Sequence, residues 1–258
     1  MNVLQNLIEL YDILPQDSTY RKVVKSILTN MHDAANETVY GLADLSDSSR
    51  TTIWRMLRML GYDRYTDFNY ALKSADENYT FYNRMIPQSV ARKDAVGGIL
   101  AEVDSMAATI REDLKEEDLE RLAKKIHGMK QVFFFFPYQT ASISSFQQNL
   151  SMAGIETDVV CLLPDMRQTV QQATKETMVF SMTIEHAEAQ DMTDVFRTLH
   201  EKGAYTLLFS DFETRYDEYI NKQLCVSPKC DSAMANVLRY DVFIFALSEI
   251  FRRDYLNG

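Results

Sequence analysis

The sequence predicts two units of different class. The first is an α-helical helix-turn-helix domain, and the second is an α/β domain whose five-stranded parallel sheet is sandwiched by helices. Three observations predict this. Apolar residues recur with helical period as far as Leu72, in short segments. A polar turn, Asp47-Ser48-Ser49, separates two of those segments. Beyond Gly128 the pattern changes to continuous apolar runs alternating with helical stretches, as in a parallel sheet covered on both faces. The expected division is 1–75 for the helical domain, 76–105 for a linker and connecting helix, and 106–258 for the sandwich.

Taken in order, Leu4, Leu7, Ile8 and Tyr11 make an apolar stripe on a helix over Val3–Leu14. Val23, Val24, Ile27, Leu28 and Met31 make a second. Thr38–Ser46 is a helix of barely two turns, and Arg50 opens the next, with Ser49 as its N-cap and Gly61 just past its end. Ile53, Met56, Leu57 and Leu60 share one face of that helix. Thr51, Arg55 and Arg58 lie opposite, with Trp54 on the shoulder. Ala43 stands ten positions before Ile53, the spacing at which two helices pack closely across a helix-turn-helix. The turn position usually given to Gly is Asp47, which tolerates the left-handed conformation better than most residues. A linker is expected from Asp76 to Asp94, then helices over Ala95–Ile110 and Leu114–His127.

Val132-Phe-Phe-Phe-Phe136 reads as a strand buried on both faces. Further strands are expected at Thr157–Leu162, Thr177–Met182, Tyr205–Ser210 and Gln223–Val226. Between them fall helices at Ser142–Met152, Met166–Ala173, Glu188–His200 and Glu213–Ile220, and a long helix, Ser232–Tyr255, closes the pattern.

Composition narrows the function classes. The chain has 258 residues, a formal net charge of −10 and only 8 glycines, and no subset of these spells a dinucleotide or P-loop fingerprint. The three cysteines, Cys161, Cys225 and Cys230, and the four scattered histidines complete no metal set, so neither metal nor cofactor is expected. An odd cysteine count with no apolar leader points to a reduced, cytoplasmic chain, and no apolar run is long enough for a bilayer. The acidity is uneven. Residues 1–75 carry 8 basic and 9 acidic side chains, whereas the remainder carries 19 and 28. From Ser49 to Arg64, Arg50, Arg55, Arg58 and Arg64 face only Asp63. Phosphate contacts are local and charges beyond about 8–10 Å are screened, so such a helix can bind DNA within an acidic protein.

Ser49, Thr52-Ile53-Trp54-Arg55, Leu60-Gly61-Tyr62, Phe68 and Leu72 together resemble the helix-turn-helix of the RpiR/MurR family of bacterial transcription regulators. That family joins this module to a C-terminal sugar isomerase (SIS) domain, a five-stranded parallel sandwich. The resemblance implies a DNA-binding regulator of sugar or amino-sugar genes and not an enzyme. Its partners would be a double-stranded DNA operator, met through Ser49, Arg50, Thr51, Thr52, Arg55 and Arg58, and a sugar-phosphate or related effector. It would act as a homodimer or homotetramer.

SIS domains hold phosphosugars with a G-x-G-x-S loop after the first strand and an S-x-S-G-x-T loop after a later one, using hydroxyls and helix N-termini. Here those loops read Phe136-Pro-Tyr-Gln-Thr140 and Ser181-Met-Thr-Ile-Glu-His186. The glycines are gone, Phe136 and Tyr138 would crowd a phosphate, and the residues left to line a pocket are Thr140, Ser142, Ser181, Thr183 and Glu185. A phosphosugar isomerase with an accessory helical domain is one alternative, with Glu185 and His186 as its proton-transfer pair. A DNA binder whose SIS domain is a ligand-free dimeriser is another.

Overall fold

The computed structural model describes residues 3–82, 84–136, 139–183, 190–210, 214–224 and 233–256. Six helices come first: α1 (Val3–Ile13), α2 (Thr19–Thr29), α3 (Met31–Asn36), α4 (Val39–Leu45), α5 (Arg50–Met59) and α6 (Tyr65–Tyr82). Then follow α7 (Gln88–Asp113), α8 (Glu116–His127), β1 (Gln131–Phe135), α9 (Ala141–Met152), β2 (Glu156–Val160), α10 (Leu163–Thr169), β3 (Thr177–Met182), α11 (Thr193–Glu201), β4 (Tyr205–Phe209), β5 (Lys222–Leu224) and α12 (Ala233–Tyr255). Among the described residues no helix is long and apolar enough to cross a membrane.

The helical unit closes on the stripes read from the sequence. Leu7, Val23, Val24, Ile27, Leu42, Ile53, Met56, Leu57, Phe68 and Leu72 are all buried in one core. Helix α6 runs on to Tyr82, through residues expected to be linker. Helix α7 begins at Gln88, within residues expected to be linker, and is broken at Asp94 (φ −156°, ψ 91°), whose Oδ1 accepts from Gly97 N at 2.9 Å and so caps the stretch from Ala95. Gly98 lets the chain before the break fold onto it, since a Cβ there would stand 2.7 Å from Val90 Cγ1.

The five strands form one parallel sheet in the order β2-β1-β3-β4-β5. Val132, Phe134 and Phe136 point to one face, where α8, α9 and α12 pack. Phe133 and Phe135 point to the other, under α10 and α11. The two edge strands are less buried than the sequence pattern suggested. Asp158 and Glu156 of β2 face solvent, because an edge strand has one neighbour and an incomplete helical cover. The helix expected over Glu213–Ile220 is a 3₁₀ turn at Asp217–Tyr219 in its described part. The Asp217 carboxylate accepts from Thr214 N (3.1 Å) and Oγ1 (2.6 Å), a local arrangement that competes with helix.

The helix that leaves β1, α9, and the helix that leaves β3, α11, lie on opposite faces of the sheet. The connections therefore diverge between the carboxyl ends of β1 and β3 and open a crevice there.

Phe134 stacks on Phe180 with centroids 5.4 Å apart and lies wholly inside the sheet core. Phe134→Ala is expected to destabilise the sandwich by about 3–5 kcal/mol. Met152→Ala, at a residue 79% exposed, should stay within about 0.5 kcal/mol. Urea titration of both variants, followed by circular dichroism, checks this.

Candidate nucleic-acid interface and effector site

Helix α5 is held from both ends by caps. At its start, Ser49 Oγ accepts from Thr52 N at 3.1 Å and lies 2.9 Å from Thr52 Oγ1. The turn before it is built on the end of α4. Asp47 N donates to Asp44 O (3.1 Å) and Ser48 N to Ala43 O (2.9 Å), with Asp47 at φ 45°. This is a Schellman closure with aspartate in the left-handed place, as the sequence suggested. The far end repeats it: Gly61, φ 84°, donates to Arg58 O at 3.0 Å and Tyr62 N to Leu57 O at 2.9 Å.

Between these caps the helix is two-sided. Ile53, Met56 and Leu57 are fully buried, and Thr51, Trp54, Arg55 and Arg58 are exposed. Among the described residues neither Arg55 nor Arg58 has an ion-pair partner, whereas Arg64 is engaged by Asp67 at 3.0 Å. Arg50 lies over the Tyr40 ring, 4.5 Å from its centroid. Ser49 is occupied as the cap and Thr52 as its partner, and of the six residues expected on this face Thr51, Arg55 and Arg58 project most freely. Tyr40, 58% exposed, adds an aromatic group that sequence reasoning passed over, because its place on α4 shows no periodic link to α5.

The end of α5 also touches the sandwich. Gln190 Nε2 donates to Leu60 O at 2.8 Å, and Gln190 Oε1 accepts from Asn6 Nδ2 at 3.3 Å. Leu162, just beyond β2, is buried in the helical core.

In the crevice the expected hydroxyls divide into two kinds. Thr140 caps α9, its Oγ1 accepting from Ile143 N at 3.4 Å. Ser142 is fully buried and donates to Asp241 on α12. Both hydroxyls thus already bond within the protein, and they also lie 2.8 Å from each other. Asp241 places the chain's own carboxylate against the first turn of α9, where helix dipole and free N–H groups favour an anion. No spacing could have shown this, since Asp241 and Ser142 are 99 residues apart. In contrast, Ser181 Oγ and Thr183 Oγ1, at the end of β3, are buried without a hydrogen-bond partner among the described residues. Glu185, Tyr138 and His186 lie outside the described residues.

Phe136 fills space as expected. It is fully buried and stacks on Tyr240, centroids 4.4 Å apart, while Phe209 meets the same ring edge-on at 5.1 Å. Burial, with the Asp241 carboxylate beside it, pushes the Tyr240 hydroxyl well above its ordinary value, so it stays a neutral donor. Among the described residues no group of three or more His, Cys, Asp or Glu could hold a metal.

Residues 1–79 match the model of the helix-turn-helix domain, rpiR family. Among solved structures, the Vibrio vulnificus NanR protein complexed with ManNAc-6P is 18% identical, covering 98% of this chain and 92% of its own, with a TM-score of 0.48. The sugar isomerase domain of an RpiR transcription factor from Sphaerobacter thermophilus is 14% identical over 63% of this chain and 92% of its own, also at 0.48. No curated protein matches the chain.

Two stability outcomes follow from the caps. A left-handed non-glycine residue costs about 1–2 kcal/mol, so Asp47→Gly should leave stability unchanged or raise it by up to about 1 kcal/mol. Thr140→Ala should lower it by about 1 kcal/mol. Thermal denaturation with both variants reads out the two signs.

Proposed function

From the premise that residues 1–79 are an rpiR-family helix-turn-helix domain, we propose that the chain is a DNA-binding transcriptional regulator. Its α/β sandwich senses a small molecule, and copies of the chain join through the segment that precedes it. The observation that carries this reading is the two-sided α5, with Ile53, Met56 and Leu57 sealed in the core and Thr51, Arg55 and Arg58 projecting outward. Arg55 and Arg58 reach guanine edges or phosphates, Thr51 adds a hydroxyl, and the Arg50–Tyr40 pair flanks the helix start. Ser49 and Thr52 act on DNA through the helix end where the Ser49 hydroxyl caps the Thr52 N–H. In this reading the domains divide at 1–75, 76–105 and 106–258.

One reading helix covers three or four base pairs, too few for specificity, so two copies bind half-sites about a two-fold axis. The α7 stretch beyond Asp94 supports self-association, because Val96, Ile99 and Leu100 are 71%, 41% and 59% exposed. Exposed apolar side chains clustered on one element favour a covering partner, and a second copy supplies one with the required symmetry.

The crevice supports sensing rather than catalysis. Acid–base work needs groups converging on one substrate, and the hydroxyls of Thr140 and Ser142 are occupied while Phe136 and Tyr240 fill the space. The unpaired Ser181 and Thr183 hydroxyls suit a hydroxyl-rich ligand. The Asp241 carboxylate at the α9 N-terminus works against a phosphate dianion. The effector in this reading is a sugar derivative carrying less negative charge than a hexose phosphate.

Arg58→Ala should change stability by no more than about 0.5 kcal/mol yet weaken operator binding by about tenfold, roughly the worth of one good base contact. Fluorescence anisotropy on a selected operator measures this, and unchanged affinity would reject the face assignment. Light scattering should give at least two chains per particle for the native protein. It should give one for Val96→Glu/Leu100→Glu, a double variant placing two charges on the exposed stripe. Calorimetry with hexose and amino-sugar phosphates should find dissociation constants no tighter than about 1 mM, and low-micromolar binding would overturn the effector assignment.

A further inference from the structure

Helix α5 carries one exposed side chain that the cationic reading of its outer face does not use. Trp54, the only tryptophan in the chain, is 37% exposed. It is the fifth residue of α5, four positions after Arg50, three after Thr51 and four before Arg58. Those spacings make it a surface neighbour of all three. Arg50 is itself held over the Tyr40 ring, 4.5 Å from its centroid. This flank of the helix therefore combines two cations with two aromatic rings. A single exposed apolar side chain is ordinary on a protein surface. On a face that meets DNA, the same side chain is covered when the complex forms.

We propose that Trp54 reads a thymine in each half-site, its indole ring seated on the 5-methyl group of that base. This rests on the reading of α5 as the helix that enters the major groove, where its early residues meet base edges. Arg50, Arg55 and Arg58 gain from phosphates whatever the sequence, and from guanine O6 and N7 where they reach a base. The indole differs from them. It has one donor and no acceptor, so it makes no bidentate pair with a base edge. Its gain comes from apolar surface removed from water. In the major groove thymine alone of the four bases presents a methyl group, and its O4 is an acceptor beside that methyl. Charge agrees with the partner: from Ser49 to Arg64 four arginines stand against one aspartate, in a chain of net charge −10. The arginines hold the helix on the duplex, and Trp54 adds a preference that cations do not supply.

The test uses the full chain and a duplex selected from a random library, with binding read by fluorescence anisotropy. Deoxyuridine replaces each thymine of one half-site in turn, which removes the 5-methyl group and leaves O4 and the base pairing intact. At one position this should weaken native binding by about fourfold, the worth of one apolar carbon taken from water. Trp54→Ala, with native circular dichroism, should bind the thymine duplex at least about fourfold more weakly. It should also bind the thymine and deoxyuridine duplexes equally, since the double-mutant cycle isolates the ring–methyl pair. The native chain gives a second readout. Bromodeoxyuridine at the sensitive position puts a heavy atom where the methyl stood and should quench the fluorescence of Trp54, the sole tryptophan, whereas bromine outside the half-sites should not. Should Trp54→Ala fail to fold, quenching in the native complex still decides. Native binding that ignores every thymine methyl, a methyl effect that survives in Trp54→Ala, or bromine at the sensitive position without quenching would each overturn the assignment alone. A native chain that binds no selected duplex would overturn the DNA-binding reading of α5 as well, so the two failures are distinct.

Discussion

The sandwich domain depends on the burial of Val132–Phe136 from both sides. An apolar side chain buried fully contributes about 1.5–3 kcal/mol, and here five successive residues are 2% exposed or less. A strand apolar on both faces demands a neighbour on each edge and a helical layer on each face. Strands β2 and β3 supply the edges, with Phe134 level with Val159 on one side and Phe180 on the other. Helices α8, α9 and α12 cover one face, and α10 and α11 the other. The same run also determines what the crevice can hold. Its last aromatic, Phe136, cannot turn away from the core without exposing a ring, so it stays stacked on Tyr240 in space that a glycine loop would leave open.

The helical domain solves a different problem, that of presenting one short helix rigidly. Helix α5 is too short to be stable on its own. Its stability comes from Ile53, Met56 and Leu57 in the core and from left-handed caps on both flanks, one before the helix at Asp47 and one after it at Gly61. Only the outward face is then free to vary with function. The same cap joins this helix to the rest of the chain, since the Leu60 carbonyl accepts from Gln190, in the segment between β3 and α11. Leu162 reinforces the contact from the end of β2. The end of α5 and the sheet end that borders the crevice thus share a boundary.

Charge is distributed to match. The acidic excess lies beyond residue 75, and Arg55 and Arg58 are left outside any ion pair among the described residues. Within the sandwich, the carboxylate of Asp241 accepts from Ser142 in the first turn of α9, so negative charge already stands at that helix start. Lys115, Lys222 and Arg239 lie on the same helical face, beside the edge strand β5.

The sequence alone determined the features that rest on periodicity and local conformation. The two-sided α5 follows from the spacing of Ile53, Met56, Leu57 and Leu60, and the caps follow from Ser49, Asp47 and Gly61, because each concerns residues within one or two turns. The parallel sandwich was legible in the apolar runs for the same reason. Only the tertiary structure decided which polar groups remain available. Thr140 and Ser142 look alike in sequence to Ser181 and Thr183. The first pair is engaged by a helix end and by Asp241, and the second is buried without partners among the described residues. The extension of α6 to Tyr82 and the exposure of edge strand β2 were likewise set by neighbours distant in the chain. A hydroxyl's use depends on the atom it meets, and for Ser142 that atom lies 99 residues away, beyond the reach of any local pattern.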